Sequence, residues 1–214
     1  MLRRALVDVR RRGVLFSQLR AYTMPSDKNK NCIVWMDLEM TGLEEKDTIL
    51  EASCILTDEN LNIVAEGPNI VIHQPDSVLN SMNDWCKKHH QETGLTDQSR
   101  NSKISTEEAE KALLKFVEEY IPPKTCPLAG NSVYMDRLFL RKYMPQLNDY
   151  LHYRIIDVSS VKELCKRWNP TLFSQAPQKK LVHRSLDDIK ESIEELKYYK
   201  RYMFLNDPEV HKTS

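Results

Sequence analysis

The sequence lacks net charge: 31 lysines and arginines balance 31 aspartates and glutamates. No overall basic field is available to wrap long nucleic acid, although a short substrate in a local pocket stays open. It also lacks any Cys-x-x-Cys pair, and its five cysteines (Cys32, Cys54, Cys86, Cys126, Cys165) are odd in number and widely spaced. That pattern argues against a disulfide framework and for reduced thiols in an intracellular compartment. Cys86 with His89 and His90 resembles half of a zinc site, but no second ligand pair of suitable spacing follows. No apolar run approaches the length of a membrane span, so a soluble chain without a membrane partner is expected.

What is present suits one α/β domain with short extensions, since 214 residues are enough for a substantial core. Residues 1 to about 23 carry arginines at 3, 4, 10, 11, 12 and 20, aliphatic residues between them, and Asp8 as the only acid. This composition has the character of a mitochondrial transit peptide, against the plainer alternative of a basic arm. The polar run from Pro25 to Asn31 reads as a linker. Residues 1–30 are therefore expected to be leader and linker, 31–204 the folded domain and 205–214 a tail. A mitochondrial location follows, with a cytoplasmic share left open.

The folded part begins with Ile33-Val34-Trp35, an apolar, β-prone run that leads into Met-Asp-Leu-Glu-Met-Thr-Gly-Leu. In a strand, alternating side-chain directions put Asp37 and Glu39 on one face. Two unpaired acids side by side repel, and one is driven to take up a proton unless a cation sits between them. Oxygen-only ligands favour Mg²⁺ or Mn²⁺ over zinc. An isolated Asp-x-Glu also fits a strand ending in solvated acids, so further acids must carry the reading.

Gly42 to Asp47 reads as a loop. Thr48 to Thr57 and the apolar positions from Ile63 to Ile72 then complete an antiparallel meander. From Ser77 the pattern is helical and polar, and Trp85 within it suits a core position. Ser105-Thr106-Glu107-Glu108 is a capping box that opens a helix ended by Pro122-Pro123. Cys126 to Ala129 reads as a short buried strand and Tyr134 to Tyr143 as a helix ended by Pro145. Tyr153 to Asp157 gives a fifth strand, and Ser159 caps a helix through Trp168. Residues 169–182 lack periodicity and are expected to form a loop, and the last helix runs from about Arg184 to Met203. Asp187 and Asp188 fall in its first turn, where acids also suit the helix dipole.

Three acidic clusters punctuate this order: Asp37-x-Glu39, Asp136 after Gly130-Asn131-Ser132, and His183-x4-Asp188. Their order resembles the three motifs of the DEDDh 3′-to-5′ exonuclease family. The wording Trp-Met-Asp-Leu-Glu-Met-Thr-Gly-Leu, Cys-Pro-Leu-Ala-Gly-Asn-Ser-Val, Leu-His-Tyr-Arg-Ile-Ile-Asp-Val-Ser and His-Arg-Ser-Leu-Asp-Asp-Ile is similar to its oligoribonuclease branch, over roughly residues 31 to 204. The resemblance implies a ribonuclease H-like α/β fold, with a mixed five-stranded sheet flanked by helices. It also implies metal-dependent hydrolysis of very short RNA, dinucleotides especially, to 5′-mononucleotides.

For such a reaction, four carboxylates holding two divalent cations about 4 Å apart stabilise the attacking and leaving oxygens at phosphorus. Asp37, Glu39, Asp136 and Asp188 are the expected ligands, for Mg²⁺ or Mn²⁺, and His183 the base that takes the proton of water. The family spacing selects Asp188 and leaves Asp187 to the helix start. By the same resemblance, Ser132, Ser159 and Arg154 bind a 5′ phosphate, Leu43 wedges between bases, and Trp85 and His90 flank them. Tyr153 comes from the partner subunit, which implies a homodimer. Tyr134-Met135 and Ser185 depart from the family wording without touching the five catalytic positions. Two other readings stay open: a related nuclease for longer RNA or DNA, and a silent nucleic-acid-binding module.

Overall fold

The computed structural model describes residues 29–178 and 184–205. The described residues open with three antiparallel strands, β1 (Ile33–Met40), β2 (Ile49–Thr57) and β3 (Ile63–Val71). The helical segment expected from Ser77 divides into α1 (Asp76–Leu79), α2 (Asp84–Glu92) and α3 (Leu95–Asn101). Gly94 makes the corner between the last two with a φ of 74°, a left-handed conformation that glycine adopts without a Cβ penalty. The capping box opens α4 (Thr106–Tyr120), with both reciprocal bonds between Ser105 and Glu108 formed.

Short strand β4 (Leu128–Gly130) follows, then α5 (Tyr134–Tyr143), α6 (Pro145–Tyr150), β5 (Ile155–Asp157), α7 (Val158–Trp168), α8 (Pro170–Ser174) and α9 (Ser185–Tyr199), which runs on into a π-helical turn at Lys200–Phe204. The sheet order is β3-β2-β1-β4-β5, with β4 parallel to β1 and β5 parallel to β4. This is the mixed five-stranded sheet with flanking helices that the resemblance implies.

Local readings needed correction at several places, among them β4, which runs from Leu128 to Gly130 rather than from Cys126 to Ala129. Pro145 does not merely end α5: it occupies the first turn of α6, where a missing N–H costs nothing and its fixed φ suits a helix. Helix α7 is capped by the Asp157 side chain, which accepts from the Ser159 N–H, rather than by Ser159. Part of the expected loop 169–182 is α8, whose start is capped by the Asn169 side chain on the Leu172 N–H. The fifth strand starts at Ile155, not at Tyr153. Residues 1–28, most of the expected leader and linker 1–30, and residues 206–214 of the expected tail 205–214 lie outside the described residues.

Alternation along β1 decides what each helix layer meets. Val34, Met36 and Leu38 join one core with α4, α5 and α6, through Leu113, Val117, Leu140 and Leu147. Trp35 joins the other, with Val158 and Cys165 of α7 and Ile189, Ile193 and Tyr199 of α9. The period of two carries Asp37 and Glu39 onto the α9 side of the sheet. Beneath them β4 passes close to β1: a Cβ on Gly130 would lie 2.9 Å from the Met36 carbonyl oxygen, so only glycine fits. No helix among the described residues is long and apolar enough to cross a membrane.

Candidate active site

Asp37 and Glu39 meet Asp188 of the first turn of α9. Each contributes a carboxylate oxygen, and the three oxygens lie within 4.8 Å of one another. Asp136 arrives from the first turn of α5 and is buried; one of its oxygens accepts the Leu38 N–H at 2.9 Å, between the two β1 acids in sequence. Burial, followed by the negative charges of Asp188, Glu51 and Asp136, pushes Glu39 up to about 8, against the opposing charge of Arg184. Burial likewise pushes Asp136 up to about 7, although the Leu38 N–H bond pulls the other way. Acids this crowded and this reluctant to ionise together fit a divalent cation held by oxygen ligands. His183 lies outside the described residues.

Reading the sequence alone did not single out the groups that hold this cluster in place. Glu51 of β2 is fully buried and faces Glu39 in register. It receives a fork from Arg184, at 2.7 Å from Nη2 and 3.1 Å from Nε, and the Ser185 N–H at 3.3 Å. Ser185, one of the departures from family wording, is buried with its hydroxyl 2.6 Å from that of Ser53. The available signals were an acid inside an otherwise apolar strand, Ile-Leu-Glu-Ala-Ser, and an arginine between His183 and Ser185.

The residues expected to bind substrate fall into three groups. Leu43, Trp85 and His90 line one cavity of about 470 Å³ together with Glu39 and Met40. Leu43 and Trp85 are exposed, which overturns the core position read for Trp85; its indole instead stacks on His89 at 4.0 Å. His90 is buried below them, its Nε2 2.9 Å from the Met40 carbonyl oxygen and its Nδ1 4.0 Å from Glu39 Oε2. The loop bearing Leu43 folds around Asp47, whose carboxylate accepts from Thr41 Oγ1 and the Glu44 N–H, each at 2.8 Å. A side chain at Gly42 would collide with that carboxylate at 2.4 Å.

Ser132 and Ser159 form the second group. The Ser132 N–H donates to Asp157 Oδ1 and to Ser159 Oγ, each at 3.0 Å, and the two hydroxyls lie 3.2 Å apart. Ser132 has a φ of 51°, a left-handed conformation uncommon outside glycine, and these bonds hold it there. Next to it, Asn131 donates to buried Glu195 of α9 at 3.0 Å, and Glu195 also takes Lys162 of α7 at 3.2 Å. Tyr153 and Arg154, the third group, stand on the surface, the guanidinium 5.4 Å from the ring centre.

Residues 34–196 match the RNase_T family, described as Exonuclease, and the chain belongs to that family of ribonuclease H-like exonucleases. Within it the chain belongs with the oligoribonucleases. It is 57% identical over 173 residues to "Oligoribonuclease, mitochondrial" of Homo sapiens, covering 80% of this chain and 73% of that one. The "Probable oligoribonuclease" of Drosophila melanogaster is also 57% identical over 173 residues, covering 80% and 82%. "Oligoribonuclease" of Acinetobacter baylyi is 48% identical over 174 residues, covering 81% and 94%. Among solved structures, exonuclease I superposes with a TM-score of 0.60 at 15% identity, covering 79% of this chain and 41% of that one. The chain thus spans about two fifths of exonuclease I, and that likeness shows the fold.

Proposed function

We propose that the chain is a 3′-to-5′ exoribonuclease that hydrolyses very short RNA, dinucleotides above all, to 5′-mononucleotides. The observation that supports this most is the convergence of Asp37, Glu39 and Asp188, with Asp136 anchored to Leu38 beside them. These four carboxylates would hold two divalent cations, Mg²⁺ or Mn²⁺. When bound, the cations supply positive charge to the attacking and leaving oxygens of an in-line displacement at phosphorus.

The chain's own residues do the rest. An imidazole nitrogen of His183 takes the proton of the attacking water, as a group with an ordinary pKa of about 6.5 can near neutral pH. Leu43 wedges between the bases, while Trp85 and His90 flank them. Stacking tolerates any base, as mixed RNA ends require. The hydroxyls of Ser132 and Ser159 and the fork of Arg154 receive the 5′ phosphate, which favours a substrate short enough to reach them from the acid cluster. The site is completed in a homodimer by the partner subunit's Tyr153; the exposure of this ring within one chain supports that reading. Residues 1–30 serve as a mitochondrial leader and linker, supported by their basic composition and by the mitochondrial name of the human relative.

Incubation of a 5′-phosphorylated RNA dinucleotide with the protein and Mn²⁺, Mg²⁺ or EDTA tests the reading. Mononucleotides are expected with either metal and none with EDTA. A dinucleotide left intact in both metals would overturn it.

A further inference from the structure

Four neighbouring positions on one face of the sheet divide their work in pairs. The register sets Asp37 beside Ser53 and Glu39 beside Glu51. On β1 the pair is Asp37 and Glu39, which meet Asp188. On β2 the pair is Glu51 and Ser53, which hold the two residues that begin α9, Arg184 and Ser185. One strand therefore carries acids of the cluster, and its neighbour fixes the helix that brings the third.

Resting on the metal-site reading above, we propose that Glu51 is a positioning residue: its grip on Arg184 and Ser185 sets the approach of Asp188 to Asp37 and Glu39. Helix α9 starts without a side-chain cap of its own, because Arg184 precedes it in extended conformation and offers no oxygen to the first N–H groups. Glu51 supplies that acceptor from another strand, on the Ser185 N–H. The Arg184 carbonyl in turn accepts the Asp188 N–H at 3.0 Å, so the held residue is the one that closes the turn bearing Asp188.

A buried carboxylate beside an acid cluster is a costly way to fasten a helix, and an apolar contact of similar volume would often serve stability as well. What an apolar contact lacks is direction. The two-toothed Arg184 fork fixes both distance and angle. Gln98 of α3 accepts from the same guanidinium at 3.2 Å, which steadies its outer side.

The test is a double-mutant cycle on the full chain, with Mn²⁺ binding followed by calorimetry and turnover measured separately. Glu51→Gln keeps the shape and one acceptor but loses the charged fork, and Mn²⁺ affinity is expected to fall at least tenfold with near-native circular dichroism. Arg184→Lys, at a partly exposed position, keeps the charge without the fork; a severalfold fall is expected, and this variant carries the test if Glu51→Gln does not fold. In an Asp188→Ala background, the Glu51 or Arg184 substitution should add no further loss. Equal losses in both backgrounds, or unchanged Mn²⁺ affinity in the Glu51 and Arg184 variants, would overturn the positioning role. Unchanged Mn²⁺ affinity in Asp188→Ala itself would instead defeat the metal-site reading on which the role rests.

Discussion

The acid end of the site and the surface around it are built in opposite ways. Asp136 is 6% exposed and the Glu39 side chain 12%, whereas Leu43, Trp85 and Tyr153 are 64%, 56% and 74% exposed. The acids come from β1, α5 and α9, and neighbours on β1 and β2 fix two of those elements. The exposed group instead offers rings and an aliphatic side chain to whatever docks there. The contrast teaches that the acid cluster is assembled by the core of one chain, while the residues proposed to grip substrate are left on open surface.

The contrast breaks first at its buried end. Asp136→Ala should lower kcat by about three orders of magnitude, equivalent to about 4 kcal/mol of transition-state stabilisation, in steady-state cleavage of an RNA dinucleotide. Retained activity would remove Asp136 from the site. At the exposed end, Tyr153→Ala should lose activity without unfolding, by about tenfold to a hundredfold in kcat/KM, with an unchanged melting curve. Trp85→Ala is expected to cost less, about tenfold and mainly in KM, because one face of the indole already rests on His89.

The effect on stability has the opposite sign. Glu39 titrates at about 8 in the fold against an ordinary 4.5, so between those values the folded state binds the extra proton and stability falls as pH rises. In EDTA, Glu39→Gln should therefore melt on the order of 10 °C above the unaltered protein at pH 8.5, with the difference vanishing near pH 4.5. An altered protein that melts no higher at pH 8.5 would mean that neither burial nor the neighbouring carboxylates hold Glu39 above its ordinary range.

Much of the fold and the acid set was legible because both depend on local spacing. Alternation along Ile33–Met40 placed Asp37 and Glu39 together, and the same alternation assigns Trp35 to the α9 core. Helix α5 ran from Tyr134 to Tyr143 as its pattern and Pro145 required. The supports were not legible, because Glu51 with Arg184, and Asn131 with Glu195, are pairs distant in sequence that only the tertiary fold brings together. Trp85 was misread for a related reason: its helix is polar, and no sequence pattern says which large side chain is left at the surface.

Cleavage of 5′-phosphorylated RNA two, three, five and ten nucleotides long, in Mg²⁺, Mn²⁺ or EDTA, tests the central claim most directly. Rapid metal-dependent loss of the dinucleotide and a steep decline with length are expected if Ser132, Ser159 and Arg154 capture the 5′ phosphate as proposed. Equal or faster cleavage of the longer chains would contradict the claim, leaving the carboxylate site in place but assigning it to a general nuclease.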